Sequence, residues 1–265
     1  MYINTSIVDD YLNGTRDNVV KCFWIFEKPR EYTEPENKDS VKSAIKQYYE
    51  VVYNNLVNFE PLNKSVISEI FPKWQQVEFY VDLIVGFPAP YDAVTKKDPL
   101  GRVHIIIDLY RLSEYGLTSE KLERVVRNLI THEMMHVLVE DLFPEIDLED
   151  AGYIEKLNRI TFNEGIAHFL SFNGEGLEDI NWNNTEYEEV YLRSKEKLKE
   201  ALSEQKPEKQ EKYLEEADTG SYFEKYGAMS GLFYFAKNWK QGGTLQLKQM
   251  VEHGYKDMVN RILMS

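Results

Sequence analysis

Apolar residues recur at intervals of three and four along much of this chain, a spacing typical of the buried face of an α-helix. The pattern first appears between Ser40, whose hydroxyl can cap a helix, and about Asn58. It returns from about Thr118 to Asp141, where apolar residues occupy nearly every side. This second helix is therefore expected to be buried almost all round.

Two segments between these helices have the composition of β-strands, because they are rich in β-branched and aromatic residues. They are Val77 to Phe87 and Arg102 to Tyr110. The stretch Pro88 to Gly101 lies between them and contains three prolines, which indicates a surface loop.

Beyond the second helix the pattern predicts only further helices. An acidic loop from Leu142 to Ala151 leads into a helix that ends near Phe172, where Asn173 and Gly174 stop it. Three more are predicted at Thr185–Gln205, with Thr185 and Glu188 as a capping box, Tyr222–Lys240 and Thr244–Leu263. The predicted fold class is α+β: a lobe of residues 1–175 with a mixed sheet, packed on an all-helical lobe of residues 176–265.

Composition and charge narrow the class of partner. A chain of 265 residues with 43% hydrophobic and 29% charged residues is ordinary for a soluble globular protein. Its 31 basic and 45 acidic residues give a net charge of −14, which argues against nucleic acid or an anionic membrane as a partner.

The expected location is the cytoplasm. Cys22 is the single cysteine, so no internal disulfide can form, and a reducing compartment fits this. The N-terminal residues lack the basic and apolar regions of a signal peptide. No uncharged apolar stretch approaches the ~18 residues that span a bilayer. The sequence leaves the oligomeric state open.

The candidate chemistry lies in the second helix, in the sequence His132-Glu133-Met134-Met135-His136. Two of the chain's 5 histidines sit one helical turn apart here, so both imidazoles project from one face and can bind the same ion. Glu133 is offset by about 100° at roughly 3.6 residues per turn, so it can reach the open side of that metal without being a ligand. The motif therefore predicts a zinc site that activates water.

Catalytic zinc takes three protein ligands and leaves one position for water. After two histidines the third ligand is usually His, Asp or Glu from another element. Glu164 is the best candidate, because it lies among apolar residues of the following helix, where an unpaired carboxylate would be unfavourable.

These two segments resemble the gluzincin zinc peptidases, the group of thermolysin and the zinc aminopeptidases. His-Glu-Met-Met-His is followed, in order and on a second helix, by Phe162-Asn163-Glu164-Gly165-Ile166-Ala167, similar to the Asn-Glu-x-x-Ala motif of that group. The resemblance covers roughly residues 100–175. It implies a zincin-like fold, zinc as cofactor, His132, His136 and Glu164 as ligands, and Glu133 as general base.

Three features depart from the family pattern. Val137 to Asn163 makes 27 residues between the second histidine and the glutamate, whereas the relatives have about 18 or 19. The acidic loop can absorb the excess. The Gly-x-Met-Glu-Asn motif of the aminopeptidases and the late histidine motif of thermolysin are absent. The substrate specificity of neither the aminopeptidases nor thermolysin is therefore assigned to this chain. The sequence leaves open whether it is an endopeptidase or an exopeptidase.

The implied reaction is hydrolysis of a peptide or protein substrate. A zinc-bound water has its pKa lowered towards about 7. Glu133 would accept its proton and return it to the leaving amine. The gluzincins stabilise the oxyanion with a tyrosine or histidine placed beyond the third ligand, and Tyr226 resembles that tyrosine, with Tyr222 as the second choice.

Several readings remain open at this point. His168, one turn after Glu164, can act as a donor near the metal, compete as a ligand, or be a satisfied helix histidine. His104 is expected to be structural, although an edge of its strand could bind substrate by β-augmentation. The alternatives to a peptidase are a zinc-containing scaffold or binding module that cleaves nothing, and a zinc hydrolase of a non-peptide amide or ester.

Overall fold

A computed structural model of the chain describes residues 1–26, 32–33, 35–89, 91–146 and 150–265. The described residues form two compact units. The first contains Met1–Pro61 and Gln76–Val137, and the second contains Leu62–Gln75 and Leu138–Ser265. The predicted lobe boundary after residue 175 stays a prediction, because these units are groups of contacting residues and do not test independent folding.

The first unit contains a mixed sheet, as predicted, and it has four strands where the sequence indicated two. Its strands are β1 (Tyr2–Asn4), β2 (Tyr80–Ile84), β3 (Ala93–Lys97) and β4 (Val103–Asp108), in the order β1-β2-β4-β3. β1, β2 and β4 are parallel, and β3 runs antiparallel to β4. The two central strands match the two predicted strand segments, and their apolar side chains are buried.

The prediction of a surface loop from Pro88 to Gly101 is wrong over β3. A tight turn joins β3 to β4: the Gly101 N–H donates to the Asp98 carbonyl, and the Asp98 N–H donates to the Arg102 carbonyl. Gly101 supplies the positive φ of 81° that this turn requires. The prolines of the segment lie before the strand and within the turn, so β3 itself contains none.

The remaining elements of the first unit are helices. They are α1 (Ser6–Asn13), α2 (Asp17–Lys21), α3 (Asp39–Val57), α5 (Leu109–Glu114) and α6 (Ser119–Leu142), whose last turn continues into the second unit. α3 and α6 confirm the two helices predicted from the apolar spacing. Asp108 caps α5 by accepting from the Tyr110 and Arg111 N–H groups, and its other oxygen accepts from the Phe87 N–H at 2.6 Å.

The described part of the second unit is helical. It contains α4 (Lys64–Ile70), α7 (Tyr153–Ser171), α8 (Thr185–Ser203), α9 (Pro207–Asp218), α10 (Tyr226–His253) and α11 (Met258–Met264). The two C-terminal helices predicted on either side of Gln241, Gly242 and Gly243 are separated at Gly243, where φ is 61° and ψ is −154°, so α10 consists of two helical segments that meet at a kink. The predicted extent of the second helix to Leu263 is wrong, because it ends at His253 and Gly254 separates it from α11. Asn184, not Thr185, caps α8, because its side chain accepts from the Glu186 N–H. Part of the predicted acidic loop, residues 147–149, lies outside the described residues.

The core of the second unit is the packing of α7 against α10. A Cβ atom on Gly165 would lie 2.6 Å from the Gly231 Cα, and one on Gly231 would lie 2.0 Å from the Thr161 carbonyl oxygen. The two helix backbones therefore touch at a pair of glycines. Phe162 and Phe169 of α7 contact Phe235 of α10 beside this point. Among the described residues, no helix is both long and apolar enough to cross a membrane.

Candidate metal centre

The segment 130–139 of α6 is buried except at its two histidines. Between Ile130 and Val139, His132 and His136 are partly exposed and all the remaining residues are buried. The N-terminal half differs, since Val125 is 38% exposed. The prediction of a helix buried nearly all round therefore holds only for the segment that carries the motif. Within that segment the two histidine side chains are the ones that solvent can reach.

The two imidazoles converge. The Nε2 atoms of His132 and His136 are 3.1 Å apart, and the rings meet edge to face with centroids 4.7 Å apart. Two nitrogens bound to one tetrahedral zinc, each at about 2.0–2.1 Å, would be separated by about 3.3 Å. The helix therefore holds this pair at nearly the spacing that a shared zinc ion requires.

Glu164 of α7 completes a group of three. The ligand atoms offered by His132, His136 and Glu164 all lie within 4.8 Å of one another, and all three residues are partly exposed. Two histidines and one glutamate are a known ligand set of catalytic zinc, and they leave one tetrahedral position open. The donor chemistry and the spacing both fit a zinc ion.

The neighbours of Glu164 in the chain fix the rotation of α7. Phe162 and Ile166 are buried on one side of the helix, and Gly165 is pressed against Gly231 of α10. A larger residue at 165 would push α7 away from α10, because the Cβ contact would be with backbone atoms. The glycine that follows the ligand is thus explained by close helix packing.

His168 lies one turn after Glu164 on the same helix. Its Nε2 is 3.5 Å from Glu164 Oε2, and its side chain is almost fully buried. The ring of Tyr222 meets His168 edge to face, with centroids 5.1 Å apart. His168 is therefore next to the third candidate ligand, and Tyr222 packs against it. The motif comparison gave no indication of this contact.

Glu133 is buried, with 6% of its surface exposed. It follows His132 directly on α6, so its position along the helix is fixed relative to both histidines. The role of general base remains a prediction for this residue, to be tested by substitution.

The two candidate tyrosines have different surroundings. The Tyr226 hydroxyl donates to the Tyr213 carbonyl at 2.7 Å, and Tyr226 is buried at the start of α10. Tyr222 is 40% exposed and contacts His168. Burial raises the pKa of both hydroxyls, so both stay protonated and can donate hydrogen bonds at neutral pH.

The two remaining histidines and the one cysteine lie elsewhere. His104 on β4 is buried and contacts Asp82 through Nδ1 at 2.5 Å, which agrees with a structural role. β4 is paired on both sides, so it offers no edge for β-augmentation; β3 is an edge of the sheet. His253 is exposed at the end of α10. Cys22 is partly exposed, and desolvation raises the pKa of its thiol.

A pair of histidines and a glutamate, brought together from two helices, is the kind of ligand set that holds zinc in several zinc hydrolases. A family model described as "putative zinc dependent peptidase (DUF5700)" matches residues 9–256, which is most of the chain. The chain belongs to this family. Zinc is the cofactor that both the family and the side-chain cluster indicate. No curated protein and no solved structure shows a significant match to the chain.

Proposed function

We propose that this protein is a zinc metallopeptidase of gluzincin type, in which His132, His136 and Glu164 hold the ion and Glu133 is the general base. The observation that carries the proposal is the convergence of these three ligand atoms within 4.8 Å. Membership in a zinc peptidase family supports the reaction class. The proposed substrate is a peptide or protein, and the proposed location is the cytoplasm.

When bound, zinc would lower the pKa of a water molecule and polarise the substrate carbonyl. The chain's own residues would do the rest. Glu133 would take a proton from the attacking water and deliver it to the leaving amine. Its burial supports this role, since bulk water has little access to the carboxylate and competes little as a proton acceptor.

A hydroxyl donor should stabilise the oxyanion that forms at the carbonyl. Tyr226 was the first choice from the sequence, but its hydroxyl already donates to Tyr213. Tyr222 contacts His168, which is next to Glu164, and this contact supports Tyr222 as the donor. His168 itself is proposed to hold the Glu164 carboxylate in position.

Two alternative functions predict different behaviour. A zinc scaffold would bind the ion and cleave nothing, but a closed structural site normally has four protein ligands. The group that the described residues form has three. A hydrolase of non-peptide amides or esters would use the same residues, so only substrate tests separate it from a peptidase.

The decisive experiment compares zinc content and cleavage of a mixed peptide library for the wild type and Glu133→Gln. We expect about one zinc per chain in both proteins and a loss of about 10²–10⁴-fold in cleavage rate for the variant. Glu123→Gln is the matched control, because Glu123 is an exposed glutamate on the same helix. It should cleave at the wild-type rate.

Each alternative has its own result. Zinc binding with no peptide cleavage, but with cleavage of an amide or ester library, would support the non-peptide hydrolase. Zinc binding with no cleavage of any library would support the scaffold. A protein that binds no zinc would contradict all three hypotheses.

A further inference from the structure

A groove in the second unit carries features that the zinc chemistry does not use. It lies between α8 and α10 and encloses about 420 Å³. We call it the α8–α10 groove. Its lining residues are Trp182, Asn183, Asn184, Tyr187, Glu188, Tyr191, Leu192, Lys195, Phe233, Ala236, Lys237, Lys240, Gln241 and Ser265.

One side of the groove is aromatic. The Phe233 ring lies 5.7 Å from Tyr187 and 6.2 Å from Tyr191, measured between centroids. Trp182 lies 6.5 Å from Tyr187. Phe233 is nearly buried beneath the others, whereas Tyr187, Tyr191 and Trp182 are partly exposed. These faces form a wall on which a flat apolar group can stack.

Three lysines line the same groove, in a protein whose net charge is −14. Lys195 comes from α8, where its Nζ lies 5.3 Å from the centroid of the Tyr191 ring, and Lys237 and Lys240 lie one turn apart on α10. Glu188 is the one carboxylate side chain among the lining residues. Desolvation and the nearby charge of Lys237 lower the pKa of Lys195, so Lys195 and Lys237 are close enough to repel one another.

The three lysines differ in the hydrogen bonds and ion pairs that they form. Lys195 Nζ donates to a main-chain oxygen of Ser265 at 3.0 Å, and Lys240 donates to the Asn183 side-chain oxygen. Lys237 is exposed, and within the described ranges no carboxylate lies close enough to form an ion pair with it. An incoming anion would therefore meet Lys237 first, with Lys240 one turn away on the same helix, and its charge would offset the repulsion between Lys195 and Lys237.

We propose that the α8–α10 groove binds a small organic anion with a flat apolar body, such as an aromatic carboxylate or sulfonate. The aromatic wall would hold the body, and Lys237 and Lys240 would hold the anionic group. A volume of about 420 Å³ lies within the roughly 300–1,000 Å³ range of small-molecule sites, which favours a small molecule over a protein partner. The proposal does not depend on the zinc site.

The test uses the full chain and the fluorescent anion 1-anilinonaphthalene-8-sulfonate. Its neutral relative N-phenyl-1-naphthylamine has the same flat body without the sulfonate. We expect saturable 1:1 binding of the anion, with energy transfer from tryptophan that Trp182→Phe reduces but does not abolish, since Trp239 of α10 remains between Lys237 and Lys240. The double variant Lys237→Gln/Lys240→Gln should weaken binding of the anion about tenfold or more and change binding of the neutral probe less than about twofold.

Lys209→Gln/Lys212→Gln is the matched control, because it removes the same charge from two exposed lysines of α9 that do not line the groove. It should bind both probes as the wild type does. Equal weakening in the two double variants would overturn the proposal, since only net charge would then matter. Non-saturable binding would also overturn it. An acidic peptide that displaces the probe with higher affinity than small aromatic carboxylates would overturn the choice of a small ligand.

Discussion

Gly231→Ala should destabilise the protein more than a single methyl group usually does. The new Cβ would lie 2.0 Å from the Thr161 carbonyl oxygen, and contacts shorter than 3.0 Å are essentially never observed for a Cβ atom. One helix must therefore move by about 1 Å. The obstacle is backbone of α7, which cannot rotate aside as a flexible side chain can.

The magnitude follows from two opposing effects. Overpacking a core usually costs about 1–3 kcal/mol, and a clash with backbone belongs at the upper end of that range. Alanine is favoured over glycine within a helix by about 1 kcal/mol, which offsets part of the cost. The expected net loss is about 2 kcal/mol in the free energy of unfolding. For a chain of this size that lowers Tm by about 4–8 °C.

Calorimetry and urea unfolding of the wild type, Gly231→Ala and Gly152→Ala test this reasoning. Gly152 precedes α7, has a φ of −66°, and a Cβ there meets nothing within 4 Å. Gly152→Ala should therefore cost less than about 1 kcal/mol. A Gly231→Ala protein as stable as the wild type would refute the argument that these glycines set the approach of α7 to α10.

Four further substitutions test the site and the sheet. His168→Gln should weaken zinc binding about 10–100-fold in a chelator competition, because His168 is proposed to orient Glu164; unchanged affinity would show that it does not. Tyr222→Phe should lower kcat about 10²–10³-fold with little change in KM. Tyr226→Phe should mainly cost about 1 kcal/mol of stability from the lost bond to Tyr213, and the reverse pattern would return the oxyanion role to Tyr226. Burial opposes ionisation of Asp98, but hydrogen bonds from Arg102 and the Leu100 backbone lower its pKa to about 2. A depressed acid pKa contributes stability above the unfolded value of 3.8 and loses it towards pH 2, so the Tm difference between wild type and Asp98→Asn should be constant above pH 5 and shrink below pH 4.

The sequence predicted elements whose stability comes from their own apolar pattern. α3 and α6 have long periodic faces, and both begin and end within about a residue of the expected positions. β1 and β3 have no such pattern: β1 has three residues, and β3 reads Ala-Val-Thr-Lys-Lys. These edge strands are defined by pairing with β2 and β4, which a local reading cannot detect. α9 is similar, since Ala217 is its one buried residue and most of its other residues are charged.

The candidate site also contains residues that spacing along the chain could identify and contacts that it could not. His132 and His136 could be paired from their spacing because a helix fixes the geometry of residues four apart. Glu164 needed a second clue, the motif that surrounds it on the next helix. The contact of Tyr222 with His168 joins residues more than 50 positions apart, so spacing along the chain carried no information about it.

The 27 residues between His136 and Glu164 are compatible with a shared ion, because many of them lie within the two helices that carry the ligands. Of the residues from Val137 to Asn163, those up to Leu142 belong to α6 and those from Tyr153 onwards belong to α7. The chain thus runs about 9 Å beyond His136 and about 16 Å along α7 before it reaches Glu164, at 1.5 Å per residue. The ten residues between the two helices can reach about 33 Å when extended, at about 3.3 Å each, so they do not prevent Glu164 from approaching the histidines. The interval between the motifs alone is a poor criterion for excluding a three-ligand site.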